Sequence, residues 1–255
     1  MLLAVGVSGR HTARRSFDVF HVVDHSYAQL VHRLPARRTI VTCHDLDTFR
    51  SLLTPADEPR SPLFRAMVRH VLRGLSSAAL VTCDTDAVRR QLIDAQVVDP
   101  GRTVVVPIGV NAQFSTRDHA DADAAAARLV PPVPGTLDII HVGSVVERKR
   151  IDVLLSVIAA VRQAYPAVRL IRVGGALTEV QEAQDRQLGI DAAIVSVPAV
   201  NDVTLAALYR RAALALLPSE REGFGLPLVE ALACGTPVVA SQLPGLREVG
   251  GRAVE

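Results

Sequence analysis

Short apolar runs alternate with helical stretches along the chain. The runs are DVFHVV (18–23), RTIVTC (38–43), AALVTC (78–83), TVVVP (103–107), LDIIHVG (137–143), VRLIRVGG (168–175), AAIVSV (192–197), ALALLP (213–218) and PVVAS (237–241). Runs this short and this rich in valine and isoleucine predict strands buried on both faces, where no polar alternation is required. Between them, PLFRAMVRHVLRGL (62–75), DVLLSVIAAVRQAY (152–165) and TLAALYRRA (204–212) repeat apolar residues at helical spacing. The alternation predicts an α/β fold with parallel sheets covered on both faces. Ligands of such sheets sit at the carboxyl ends of the strands.

One segment breaks the pattern. RDHADADAAAARLVPPVPGT (117–136) is acidic and alanine-rich, then carries three prolines and a glycine, and it predicts a helix or loop leading into a linker. The chain then divides into a first unit (1–116), the linker (117–136) and a second unit (137–255). An echo of IVTCHDLDT in LVTCDTDA lies wholly within the first unit and reflects similar strand-end chemistry rather than a repeat.

Composition narrows the function. With 255 residues, 49% hydrophobic and 21% charged, the chain has material for a sizeable core. A net charge of +2 gives no whole-molecule case for nucleic acid as a partner. All basic residues are arginine except Lys149. The three cysteines, Cys43, Cys83 and Cys234, show no CxxC spacing, which points to a reducing, cytoplasmic setting rather than a zinc site or disulfide framework. The opening MLLAVGV has no basic region before it and runs into RHTARR, the wrong order for a signal peptide.

The densest chemistry lies in SEREGFGLPLVEALACGTPVVAS (219–241). ALALLP reads as a buried strand, EREGFG is too glycine-rich to be regular, Pro227 suits a first helical turn, and Gly235 stops the helix. A strand, a glycine loop and a helix amino terminus in this order offer free N–H groups and a partial positive charge to a phosphate. Glu230, about one turn into the helix, is placed to accept hydrogen bonds from a vicinal diol such as a ribose. Glu222 precedes the loop.

Glu222, the seven residues GFGLPLV, Glu230 and then ALACGTPVVAS resemble the donor-site motif of retaining glycosyltransferases of the group 1, family 4 type. The resemblance implies two Rossmann-like domains facing across a cleft, the GT-B arrangement. It gives Glu222 a contact with the transferred sugar and Glu230 the ribose, with Gly223, Phe224, Gly225 and Leu226 holding sugar and diphosphate. HVGSVVERKRIDVLL (141–155) is similar to the segment that opens the second domain of that family. There Gly143 ends a strand and Lys149 matches the residue that neutralises the diphosphate, with Arg148 beside it. Ser144 stands where many relatives have arginine, so one phosphate contact lacks its side chain. RTIVTCHDLD (38–47) resembles the first-domain strand whose terminal histidine, here His44, faces the donor sugar. VVVPIGVNAQF (104–114), VGG (173–175) and the loop near 197–200, which commonly holds the base, also follow the family's course.

The resemblance implies transfer of a sugar from a nucleotide-diphosphate donor to a hydroxyl of a sugar, polysaccharide or lipid-linked acceptor. Configuration is retained, and neither metal nor cofactor takes part. Two other readings stay open: a sugar-nucleotide epimerase, and a non-catalytic or vestigial sugar-nucleotide-binding protein. A nicotinamide dehydrogenase would need a GxGxxG turn, and RVGGAL is not one. Matched to the family, the chain reads as truncated at both ends, with an expectation of better donor binding than transfer. The helix at 62–75 adds an apolar stripe of Leu63, Phe64, Met67, Val71 and Leu75 beside a row of Arg65, Arg69 and Arg73. This pattern allows peripheral contact with an anionic membrane at its inner face, or an ordinary surface helix.

Overall fold

A computed structural model describes residues 17–253. The opening MLLAVGV stretch lies outside the described residues. The chain forms two compact units that divide between Ile108 and Gly109. All nine predicted strands are present, each shorter than its apolar run because the flanking residues turn away from the ladder.

The first unit runs through β1 (Phe20–Val22), a 3-10 segment (His25–Arg33), β2 (Thr39–Cys43), α1 (Arg50–Leu53), α2 (Pro62–Ser77), β3 (Leu80–Cys83), α3 (Asp86–Asp94) and β4 (Thr103–Val105). The strands are parallel in sequential order, with Cys43 opposite Cys83 and Thr42 opposite Thr82. Alternation along β2 and β3 sends Val41, Cys43, Val81 and Cys83 into a core with Phe49, Val68, Leu75, Val88 and Leu92. On the opposite face Thr42 bonds both Thr82 (2.8 Å) and His21 (2.7 Å), a half-buried polar row rather than a second apolar layer. The expected cover on both faces is therefore not built from the described residues of this unit.

Ser61 caps α2 by accepting from the Phe64 N–H, and Pro62 opens its first turn. Gly74 lets the helix lie against the 3-10 segment, since a Cβ there would be 2.1 Å from the Ala28 carbonyl oxygen. The predicted stripe is split. Val71 and Leu75 join the core, while Leu63 (83% exposed) and Met67 (57%) face outward with Phe64.

The second unit contains α4 (Ala120–Leu129), β5 (Leu137–Val142), α5 (Ile151–Ala164), β6 (Val168–Val173), α6 (Glu179–Leu188), β7 (Ile194–Val197), α7 (Asp202–Arg211), β8 (Leu214–Leu217), α8 (Leu226–Ala233), β9 (Val238–Ala240) and α9 (Pro244–Gly250). Its five parallel strands lie in the order β7-β6-β5-β8-β9. Here both faces are covered. Ile140, Ile171, Ala215 and Leu217 pack with α4, α7 and α8, while Ile139, Leu170 and Leu216 pack with Ile151, Leu154, Leu155 and Ile158 of α5.

The segment expected as a linker, 117–136, holds α4. Ala122 and Ala126, four residues apart, and Val130 are buried in the core beside α7, and Arg210 pairs with Asp123 at 2.5 Å. Small side chains let this helix approach closely, so it packs with the second unit while its acids remain outside. Among the described residues no helix is long and apolar enough to cross a membrane.

Candidate functional site

The strand order of the second sheet reverses between β5 and β8: β6 and β7 extend on one side and β9 on the other. In open parallel sheets the two loops leaving such a switch point diverge and leave a crevice at the carboxyl ends of the strands. The loop after β5 carries Gly143, Ser144, Arg148 and Lys149, and the loop after β8 carries Ser219 and Glu222. The chain order thus delivers the two predicted motifs to adjacent strand ends.

The ERKR run separates by direction. Glu147–Lys149 form one 3-10 turn, and Arg150 then takes a left-handed backbone (φ 50°) that turns its side chain onto Asp152 at 2.8 Å. Lys149 goes inward and is buried. Its Nζ donates to Glu222 Oε1 at 2.5 Å, Ser219 Oγ donates to the same oxygen at 2.8 Å, and Arg148 Nη1 reaches Glu222 Oε2 at 3.3 Å. Backbone bonds tie the loops together, because the Glu220 N–H donates to the Arg148 carbonyl (2.8 Å) and Arg148 Nη1 donates to the Arg221 carbonyl (3.1 Å). One carboxylate therefore holds two cations at a strand-end junction.

Beyond Glu222 the chain turns through Gly223, Phe224 and Gly225, all buried, into α8 with Leu226 exposed. Gly225 adopts φ 81°, and a Cβ there would meet Leu246 Cδ2 at 2.2 Å, so only glycine fits. No side chain caps α8, and Pro227 occupies its first turn. Gly245 of α9 packs against the backbone of Glu222 and Gly223, where a Cβ would be 2.7 Å from the Gly223 oxygen. Of these supports, Ser219 opens the 219–241 stretch but had no role there in the sequence reading, and Gly245 and Leu246 lie beyond it.

Glu230 of α8 is bonded to α7. The Tyr209 hydroxyl donates to its Oε2 at 3.2 Å, and burial raises its pKa against the pull of that bond. Tyr209 is fixed by an edge contact with Phe114, and its carbonyl accepts from Thr236 (2.6 Å). Tyr209 was hidden in sequence because a buried tyrosine in a helix is normally core.

In the first unit His44 follows β2. Its Nδ1 lies 2.7 Å from Oδ2 of buried Asp84 and its Nε2 lies 2.9 Å from the Val23 carbonyl, so both ring nitrogens are engaged. The bond to Asp84, opposed by partial burial and aided by the Asp84 charge, lifts its pKa from 6.5 to about 9, making it an imidazolium at neutral pH. His25 lies beneath, accepting from the His44 N–H at 3.3 Å and facing Asp45 at 3.5 Å. Asp84 follows β3 directly in the LVTCDTD echo, and that parallel was the available signal for it.

The family model described as Glycosyl transferases group 1 matches residues 131–254, and that described as Glycosyltransferase Family 4 matches residues 2–114. Proteins named D-inositol 3-phosphate glycosyltransferase are similar in sequence. That of Segniliparus rotundus is 33% identical over 211 residues, 80% of this chain and 46% of that protein. That of Mycobacterium bovis is 34% identical over 212 residues, 80% of this chain and 42% of that protein. The chain spans less than half the length of these relatives. Among solved structures, sucrose-phosphate synthase from Thermosynechococcus elongatus has a TM-score of 0.74 at 24% identity, covering 93% of this chain and 59% of that one. Anabaena HepE, solved with UDP and glucose, has a TM-score of 0.75 at 21% identity, covering 94% and 62%. The chain belongs to the glycosyl transferases of group 1, and its two parallel α/β units have the GT-B fold.

Proposed function

We propose that this chain carries the donor site of a glycosyltransferase moving a sugar from a nucleotide-diphosphate sugar to an acceptor hydroxyl, with retained configuration and without metal or cofactor. The observation that carries the reading is the junction of Lys149, Arg148 and Glu222 at the switch point of the second sheet. Glu222 occupies the two cations in the manner of a built-in anion. An arriving diphosphate takes over Lys149 and Arg148 and releases Glu222 toward the sugar hydroxyls. The same cations then stabilise the departing diphosphate as its charge grows. Glu230, steadied by Tyr209, is assigned to the ribose. In the first unit, His44 as an imidazolium donates to a ligand oxygen once it exchanges the Val23 carbonyl. HepE was solved with UDP-glucose and the curated relatives are named for D-inositol 3-phosphate, so UDP-glucose and that acceptor are the first to test.

Calorimetry of wild type and Glu222→Gln with UDP, GDP, ADP and their sugar conjugates tests the exchange. The variant should bind the free nucleoside diphosphate several-fold more tightly, because no carboxylate competes for the cations, and should lose wild type's preference for the sugar-bearing form. Absence of nucleotide binding by wild type would remove the donor-site reading. Unchanged affinities in the variant would remove the exchange.

A second reading concerns α2. The exposed Leu63, Phe64 and Met67 beside exposed Arg69 and Arg73 support peripheral contact with an anionic membrane surface.

A further inference from the structure

Among the described residues the largest fully buried side chain is a cation. Arg172, on β6, is 0% exposed and lies opposite His141 of β5 in the sheet register. Among the described residues its hydrogen bonds go to carbonyl oxygens alone: Nη2 donates to Gly143 at 3.3 Å and Nη1 donates to Gly175, while Nε is buried without a partner. His141 Nδ1 is buried and unpartnered as well. Burial, with the charges of Arg172 and Lys149, holds the His141 pKa near 3, so no second charge stands beside the guanidinium. A guanidinium taken out of water without a carboxylate is costly, and its retention calls for an explanation in what it holds.

What it holds is the backbone of two strand-end loops. The Gly143 carbonyl is gripped from both sides, by Arg172 and by Gly174, where a Cβ would come within 2.3 Å of that oxygen. In a planar trans peptide the C=O and the following N–H point in opposite directions. Drawing the carbonyls of Gly143 and Gly175 inward to Arg172 therefore turns the N–H groups of Ser144 and Ala176 outward. Both residues are exposed, and neither N–H has an acceptor among the described residues. Ser144 opens the loop that ends at Lys149.

We propose that Arg172 is a positioning residue for the donor site, orienting the Ser144 and Ala176 N–H groups toward the donor's phosphates at the strand ends. The inference rests on the donor-site reading and adds to it a backbone anion cradle made by a residue that itself never touches the ligand.

The test compares Arg172→Met and Arg172→Lys with wild type, using UDP, GDP and ADP against their nucleosides, with melting temperature recorded for each protein. Arg172→Met should weaken the best nucleoside diphosphate about tenfold or more, as expected for losing aimed donors to a charged group. Its nucleoside affinity should be unchanged, and Arg172→Lys should recover part of the loss. Equal diphosphate affinity in all three proteins overturns the proposal, as does parallel loss of diphosphate, nucleoside and melting temperature. Should wild type bind no nucleotide, the donor reading fails and the orientation is judged without ligand by amide NMR. Ser144 and Ala176 should then shift selectively in Arg172→Met and return toward wild type in Arg172→Lys, and unmoved resonances overturn the proposal.

Discussion

Asp84 shows how one buried side chain sets the charge of another. At 2% exposure it accepts from His44 at 2.7 Å, and this bond is the main reason the imidazole pKa rises from 6.5 to about 9. A pKa that is higher in the folded state than in the unfolded chain means that folding favours the protonated ring. Its contribution to stability is complete below about pH 6.5 and fades as pH rises through about 9. The His44 side chain is 38% exposed, so solvent screening keeps the contribution modest. Asp84→Asn removes the charge while keeping the shape. The His44 pKa, followed by its ring-proton resonances, should fall toward 6.5, and the decline in stability between pH 6.5 and 9 should flatten. An unmoved pKa in the variant would show that Asp84 is not the cause.

At the scale of elements, α2 has a core half and an exposed half. Val68, Val71, Gly74 and Leu75 are buried, whereas Leu63 and Met67 are largely exposed. If the exposed end serves a membrane surface, Leu63→Ser with Met67→Ser should abolish flotation with anionic vesicles and leave the melting temperature near wild type. Flotation that needs no anionic lipid, or survives the double substitution, defeats the idea. The same helix shows what sequence conveys. Periodicity located the helix, and short valine- and isoleucine-rich runs located all nine strands. It did not tell which apolar residues of α2 would find a neighbour, since that depends on the 3-10 segment from His25 to Arg33, which buries His25, Ala28 and Val31 at every third position and was not read as an element in sequence. For the candidate site, the family resemblance pointed to Glu222, Lys149 and Arg148, which lie on the loops after β8 and β5. Tyr209, Asp84 and Arg172 stayed hidden because their roles arise from register and packing between elements distant in sequence. Arg172, inside an apolar strand run, became visible only once β6 was aligned with β5.

For the whole molecule, counted among the described residues, the first unit has one core and the second has two, one on each side of its sheet, and no residue is shared between the units' clusters. A unit with its own core is able to unfold as its own cooperative transition. Leu75 belongs to the first unit's core and Leu154 to the second's, both at 0% exposure, so replacing either with alanine should cost about 2–5 kcal/mol. Calorimetric melting of wild type should resolve two transitions, one lowered by Leu75→Ala and the other by Leu154→Ala. Ligand that binds only a folded state raises the transition of the unit holding its site. The nucleoside diphosphate should therefore raise the transition sensitive to Leu154→Ala, because Lys149, Glu222 and Arg172 lie on that unit. If nucleotide shifts the Leu75-sensitive transition as much, donor binding is not carried by the second unit alone. If both substitutions lower one common transition, the units do not unfold separately.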